Sequence, residues 1–241
     1  MSSPPPPAYE APSYYGVYKG VRNAAWRLLL RVGADALPVS CAETARRLGI
    51  PVLGYAQGLP LLRAMGLTDH CRDNDGFAVH VGHRWCIFLS NALPPGVNRD
   101  FTLAHELGHA VLGHAPEERR DADRGRVRFT RANTREWDVG LERDDILERD
   151  ANMLAARLLS PACVLWGLGL RTAEDIARVC GLPLAVARQR AARMALLYQR
   201  DLFLRDKTEQ ALFARFLPYL QAQGPLPQPC ANKLAALNVG Q

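Results

Sequence analysis

The sequence predicts an α+β fold in which a small antiparallel sheet is combined with several helices. Residues 76–90 are rich in β-favouring types, whereas apolar residues recur at helical spacing in the segments before and after them. The chain has 241 residues, of which 48% are hydrophobic and 22% charged, so it is long enough to bury a sizeable core. This composition excludes collagen-like, coiled-coil and wholly disordered chains.

The first elements are predicted to be two helices and a strand. Residues 1–16 contain four consecutive prolines and few groups to bury, so we expect a disordered Pro-rich arm there. Apolar residues then recur at helical spacing over residues 17–32. Ser40, with Glu43 three residues later, has the spacing of a capping box that begins a second helix. Residues 51–56 have the composition of an extended segment.

The middle of the chain is predicted to hold a hairpin and two helices. Residues 76–90 contain a Val-Gly-His break, which indicates two antiparallel strands. The sequence FTLAHELGHAVLG, which starts at Phe101, favours a helix with a glycine stop, and a second helix is expected over residues 144–159. Between them, residues 115–143 are rich in charges of both signs and poor in apolar residues, so we expect a mobile polar loop. Together these elements form a predicted domain of residues 17–163.

The C-terminal part is predicted to be a helical subdomain over residues 164–222, followed by a flexible tail over residues 223–241. Gly181 separates two helical patterns, as in a helix-turn-helix. The second helix carries arginines that suit phosphate contacts, but most of its other residues are apolar. We therefore favour a helical subdomain that packs on the preceding domain or docks to a protein, over direct DNA binding. The arginines are Arg188, Arg190 and Arg193.

The segment His105-Glu106-Leu107-Gly108-His109 carries the strongest chemical signal. Residues four apart share one face of a helix, so His105 and His109 can both reach a single Zn²⁺. Glu106 lies one residue along, beside the position left open for a water molecule, and can accept a proton from that water as it attacks a carbonyl carbon. The spacing therefore predicts a catalytic site for one zinc ion per chain.

A catalytic zinc usually has a third protein ligand, and Glu148 is the favoured candidate. Asn152 lies one turn after it on the same helix face, where it can hold a ligand histidine by a hydrogen bond. Asp150 points to another side of the helix, and His114 follows the predicted helix stop and points away from the metal. These two remain weaker alternatives, as do the acidic residues near the helix start, which are Glu142, Asp144 and Asp145.

Other histidines and cysteines raise the question of a second zinc site. His80, His83 and Cys86 do not share a face of one strand, so strand alternation opposes that interpretation. We expect buried thiols and solvated histidines instead. The same expectation applies to their neighbours His70 and Cys71.

Two segments resemble the ImmA/IrrE family of zinc metallopeptidases. FTLAHELGHAVLGH and ERDANMLAARLLSP are similar to a family pattern close to RFTLAHELGH followed by E-x-x-A-N-x-F-A-x-x-L-L-M-P. The likeness covers residues 18–161, because YKGVRNAAWRLLLRVGADALPVSCAETARRLGI also resembles the helices that precede the site in that family. Leu154 and Ser160 depart from the pattern, where the family favours Phe and Met, and neither change removes a ligand.

This resemblance implies a zincin-like domain with an HExxH helix and a glutamate-ligand helix. It implies that His105, His109 and Glu148 hold zinc and that Glu106 is the catalytic acid/base. The family cleaves transcriptional repressors of phage, mobile-element or stress-response genes, so the implied partner is a helix-turn-helix repressor. The identity of that repressor does not follow from the resemblance.

The leading hypothesis is a zinc-dependent endopeptidase that cleaves a regulatory protein partner. An alternative is a DNA-binding regulator whose peptidase site is vestigial or senses metal, since the net charge of +6 is compatible with nucleic acid. A zinc hydrolase of non-peptide amides is a third interpretation of the motif. We expect a cytoplasmic protein with no membrane partner, because the first residues lack the basic head and apolar run of a signal peptide and no apolar stretch is long enough to span a bilayer.

Overall fold

A computed structural model describes residues 14–114, 117–121, 125–129 and 143–239. The predicted arm, residues 1–16, lies almost entirely outside the described residues. The fold is α+β, as the sequence predicts, and eleven helices and five strands are present in the described part of the chain. The helices are α1 (Tyr14–Arg31), α2 (Cys41–Leu48), α3 (Tyr55–Ala64), α4 (His70–Asp73), α5 (Val97–Leu112), α6 (Arg143–Leu159), α7 (Ala162–Gly167), α8 (Ala173–Cys180), α9 (Leu184–Gln199), α10 (Lys207–Ala222) and α11 (Gln228–Val239).

The strands form a single mixed sheet in the order β1-β3-β2-β5-β4. The predicted hairpin is present as β2 and β3, with Val81 paired to Arg84 across the turn. β1 pairs in parallel with β3, and all other neighbours are antiparallel. The sheet is therefore larger than the antiparallel hairpin that the sequence predicts. The strands are β1 (Val52–Gly54), β2 (Gly76–Val81), β3 (Arg84–Leu89), β4 (Glu117–Asp121) and β5 (Gly125–Phe129).

The polar segment 115–143 differs from the loop that its charges predict. It contains the hairpin of β4 and β5, and β5 continues the sheet by pairing Val127 with Val81 and Phe129 with Val79. Charged and apolar residues alternate from Arg126 to Phe129, which is the period of a half-buried strand. The prediction of a loop relied on the many charges of both signs in the whole segment and did not consider this short alternation. Residues 115–116, 122–124 and 130–142 of this segment lie outside the described residues, so the mobility predicted for them stays a prediction.

The C-terminal segment 223–241 differs from the predicted flexible tail, because α11 occupies most of it. Pro229 stands in the first turn of this helix, where its missing N–H costs no hydrogen bond. Cys230, Leu234 and Leu237 follow at helical spacing, and Cys230 is fully buried. The prediction of a flexible tail relied on the proline and glutamine content and did not consider these apolar residues at helical spacing.

Two further boundaries differ from the sequence-based expectations. Only residues 52–54 of the expected extended segment form a strand, and α3 begins directly afterwards at Tyr55. Helix α5 begins at Val97, before Phe101, with Asp100 in its first turn where an acidic side chain complements the helix dipole.

The main hydrophobic core extends from α1 to the C-terminal helices. Helix α1 packs against both α6 and α10, so Leu29 and Phe216 belong to the same buried cluster. A second, smaller cluster covers the opposite face of the sheet and contains Phe77, Phe88 and Leu62. Residues 164–222 are helical, as predicted, and they share the main core with the preceding domain.

The helix-turn-helix pattern is present as α8 and α9. Gly181 adopts φ 64° between them, and the Thr172 side chain accepts a hydrogen bond from the backbone N–H of Asp175 at the start of α8. Arg190 is buried and donates hydrogen bonds to the hydroxyl and carbonyl oxygens of Ser160 at 2.9 and 2.6 Å. Ser160, the position where the resembling family favours Met, thus holds an arginine of α9. Within the described residues, no helix has the length and apolar character needed to cross a bilayer.

Candidate active site

Helix α5 carries the three polar residues of the candidate site on a buried segment. His105, Glu106 and His109 are 1%, 0% and 0% exposed. Such burial is uncommon for charged or titratable side chains unless they have partners. The helix ends at Gly113, whose φ of 72° lets its N–H bond back to the carbonyls of His109 and Ala110.

Helix α6 brings Glu148 against the two histidines. The Nε2 atom of His105 lies 3.1 Å from Glu148 Oε2, and the Nε2 atom of His109 lies 3.2 Å from Glu148 Oε1. The two Nε2 atoms are 3.0 Å apart. Two imidazole nitrogens and a carboxylate therefore converge on one point between the helices.

Asn152 holds His105 from the side opposite to Glu148. Its Oδ1 atom lies 2.7 Å from His105 Nδ1. An amide oxygen only accepts hydrogen bonds, so this contact places the imidazole proton on Nδ1. When a metal ion takes the place of the second proton, the lone pair of His105 Nε2 is directed towards the point between Glu148 and His109, which is the orientation that a metal ligand requires.

The close approach of α5 and α6 depends on Gly108, within the HExxH segment. A Cβ atom at this position would lie 2.9 Å from the carbonyl oxygen and 3.1 Å from the Cα atom of Ala151. Real side chains do not tolerate such distances to backbone atoms, so any larger residue would push the helices apart. The site geometry therefore requires glycine here and a small residue opposite it.

We expect Gly108→Ala to weaken zinc binding about tenfold and to destabilise the protein by roughly 1–3 kcal/mol, because α6 must move away and take Glu148 with it. Zinc titration and thermal unfolding measure the two effects. Gly20→Ala is the matched control, since a Cβ atom there meets nothing within 4 Å and the change favours helix α1. Wild-type zinc affinity in Gly108→Ala would show that the helix spacing is not limiting.

The electrostatics of the metal-free site follow from burial and from Glu148. Burial lowers the pKa of His109 to about 4. Burial also opposes the charged form of His105, but hydrogen bonding to Glu148 and the charges of Glu106 and Glu148 raise its pKa overall. Burial opposes ionisation of Glu148 as well, yet hydrogen bonds from both histidines bring its pKa down to about 2. An ionised carboxylate beside imidazole nitrogens is the donor set that binds zinc.

The weaker candidates for the third metal ligand that the structure describes are not part of the cluster of His105, His109 and Glu148. Asp150 is buried but accepts a charge-assisted hydrogen bond from Arg149 at 3.1 Å and is not part of the cluster. The His114 ring packs edge-on against the ring of His109, with centroids 5.4 Å apart, and burial lowers its pKa. Glu142 and the side chains of Asp144 and Asp145 lie outside the described residues.

The cluster of His105, His109 and Glu148 fits a metal ion. One donor atom from each residue lies within 4.8 Å of the others. Two histidines and one carboxylate, with a fourth position open, are the ligand set of many catalytic zinc sites. Among the residues that the structure describes, no other group of three such side chains converges in this way.

Comparison with protein families agrees with this geometry. The family model Peptidase_M78, described as an IrrE N-terminal-like domain, matches residues 60–192, which is more than half of the chain. The chain belongs to the Peptidase_M78 family. The match includes both α5 and α6 and extends into α9. Family membership confirms the resemblance drawn from the sequence motifs and supports a zincin-like domain and metallopeptidase activity in general. No curated protein matches the chain significantly.

The sequence did not single out every residue that shapes the Peptidase_M78 site. Gly108 could have been noticed as a small residue on the helix face opposite Ala151, but its role depends on the distance between two helices. The sequence predicts an extended segment at Tyr55. The structure places it at the start of α3, where burial and the charges of Cys71 and Glu106 raise its pKa. Its hydroxyl donates to the carbonyl oxygen of Asn74 at 2.7 Å.

Proposed function

We propose that this protein is a zinc-dependent endopeptidase that cleaves a protein partner, and that the partner is a helix-turn-helix transcriptional repressor. The observation that carries the proposal is the convergence of His105, His109 and Glu148, with Glu106 buried on the same helix, in a member of the Peptidase_M78 family. The choice of a repressor as substrate is supported by the resemblance of both site segments to the ImmA/IrrE family.

In this proposal, the Nε2 atoms of His105 and His109 and the carboxylate of Glu148 hold the zinc ion. When bound there, zinc polarises the carbonyl group of the scissile peptide and makes water nucleophilic at neutral pH. Asn152 keeps His105 in the required orientation and tautomer through the contact with Nδ1.

Glu106 acts as the general base and then as the general acid. Its carboxylate accepts a proton from the water that attacks the carbonyl carbon, and the new C–O bond forms as the proton leaves. The same carboxyl group donates that proton to the amide nitrogen as the C–N bond breaks. The products are a carboxylic acid and an amine, so atoms and charges balance.

The C-terminal helices support selection of a protein partner. Helix α9 presents Leu184 and Leu196 to solvent, each more than 40% exposed, and these side chains offer apolar contacts to a protein partner. Arg190 is buried against Ser160 and does not reach the surface. Arg190 is therefore not available for phosphate contacts, whereas Arg188 on the same helix is exposed; the burial of one of three arginines favours protein docking over the alternative of a DNA-binding regulator.

The proposal is tested with purified helix-turn-helix repressors, and any that is encoded beside this protein is tried first. Incubated with zinc-loaded wild-type protein, the repressor should be cut at a single bond, and mass spectrometry of the two fragments identifies it. A chelator should stop the reaction and added zinc should restore it. A repressor that stays intact with the zinc-loaded protein, but forms a stable sequence-specific DNA complex together with it at physiological salt, would favour the regulator alternative.

A further inference from the structure

A large groove lies apart from the metal cluster, between α1, β3 and the last turn of α5. Its volume is about 930 Å³, and His105, His109 and Glu148 do not line it. On α5 the groove is lined by Ala110 and Val111, which follow His109 and point to other sides of the helix. The groove is therefore a surface distinct from the site that we propose for cleavage.

The groove combines an apolar floor with a basic rim. Arg27 and Arg31 stand one turn apart on α1, and Arg84 begins β3; all three are exposed. Within the described part of the chain these arginines form no ion pair, and no aspartate or glutamate lines the groove. Leu28 and Phe88 contribute to the floor. The charge pattern is complementary to an anionic ligand that also has apolar groups.

A strand edge that has no partner among the described residues opens into the same groove. The parallel pairing of β1 with β3 starts at Val52 and Ile87, where the N–H of Ile87 donates to the carbonyl of Pro51 at 2.9 Å. In the β2–β3 hairpin, the backbone N–H and carbonyl groups of Arg84 and Cys86 form hydrogen bonds with β2. Trp85 lies between them, so its backbone N–H and carbonyl point away from β2, towards the β1 side. Pro51 has no N–H to offer that carbonyl, and pairing stops there.

Side chains from both faces of the sheet line the groove, which shows that it follows the strand edge. Met65 lies on the face covered by α3, whereas Val111 lies on the face covered by α5. A strand edge of this kind accepts an extended peptide as an additional strand. A compact amphiphilic anion would match the charges and the floor but would leave the edge unused.

We propose that this groove binds an extended segment of a protein partner, in which acidic and apolar residues alternate, as an added strand beside Arg84–Cys86. Side chains of such a segment point alternately to its two faces, so the apolar ones can pack beside Phe88 and Met65 on the α3 face while the acidic ones meet Arg27 and Arg31 on the α1 face. Binding requires neither zinc nor Glu106. The inference therefore goes beyond the proposed cleavage reaction, since the groove captures its partner whether or not the site cuts it.

The test uses the full chain and a fluorescein-labelled peptide of eight residues in which aspartate and valine alternate. Fluorescence anisotropy should show binding that weakens as salt rises. The double variant Arg27→Glu, Arg31→Glu should weaken binding about tenfold or more, whereas the matched control Arg188→Glu, on the exposed face of α9, should change it less than about twofold. A peptide with N-methyl groups at alternate residues should also bind about tenfold more weakly, because it cannot pair with a strand.

Several outcomes would overturn the inference. They are equal binding by the double variant and the wild-type protein, binding of the N-methylated peptide as tightly as its parent, and absence of peptide binding while dodecanoate binds. Thermal unfolding shows whether the double variant is folded, and Arg84→Glu, on the other side of the groove, provides an independent loss of charge. Measurement on Glu106→Gln with and without zinc should give the same affinity, so failure of the proposed peptidase activity is distinguishable from failure of the groove.

Discussion

Glu106→Gln should abolish nearly all peptide cleavage while leaving zinc content and folding unchanged. Glutamine has almost the same shape as glutamate, so it fits the fully buried position on α5. It cannot accept a proton from water at neutral pH, and loss of a general acid/base costs roughly 10² to 10⁴ in rate. The expected product is a folded zinc protein with wild-type affinity for its partner and with kcat lowered by that factor.

The measurement for Glu106→Gln is turnover on the cleaved partner, normalised to zinc determined by atomic absorption on the same sample. Glu174→Gln, an exposed position on α8, is the matched control and should retain wild-type turnover and zinc. Loss of zinc in Glu106→Gln would instead make Glu106 a ligand. Wild-type turnover in that variant would remove Glu106 from the reaction.

Glu148→Ala should fail in the opposite way, by losing the metal. The substitution removes one of three proposed ligands and leaves two histidine Nε2 atoms 3.0 Å apart without the carboxylate that both contact. Zinc affinity should fall by roughly a hundredfold or more, since even indirect partners of metal ligands contribute ten- to a hundredfold. Turnover should fall with zinc occupancy, and excess zinc should restore little of it.

Thermal unfolding gives a second measurement for Glu148→Ala. Zinc bound only by the folded state raises Tm, so the wild-type protein should show a rise on zinc addition that Glu148→Ala lacks. Asp150→Ala is the control, because Asp150 lies two residues away on α6 but outside the cluster, and it should keep the zinc-dependent rise. If Asp150→Ala loses the rise and Glu148→Ala keeps it, the ligand assignment is reversed.

Local spacing was sufficient to predict much of the candidate site. His105 and His109 are one helical turn apart, as are Glu148 and Asn152, and helical periodicity fixes which side chains share a face. The structure brings these four residues together with donor and acceptor atoms between 2.7 and 3.2 Å apart. The prediction needed only that both segments be helical and adjacent.

Features that depend on tertiary distance could not be predicted in this way. The contact of Gly108 with Ala151 is specified by the packing of two helices rather than by either sequence segment. The strands β4 and β5 are highly charged, and the pairing of β5 with β2 supplies backbone hydrogen bonds that the isolated β4–β5 hairpin lacks. Similarly, α11 is stabilised by burial of Cys230 against the main core. In each case a partner that is distant in sequence outweighs the local composition.

Anomalous X-ray scattering at the zinc edge, from crystals of zinc-loaded Glu106→Gln protein, tests the central claim most directly. The account predicts one strong peak between α5 and α6, about 2.0–2.2 Å from the Nε2 atoms of His105 and His109 and from a carboxylate oxygen of Glu148. A peak at which His114, Asp150 or Glu142 replaces Glu148, or the lack of any peak between these helices, would contradict it.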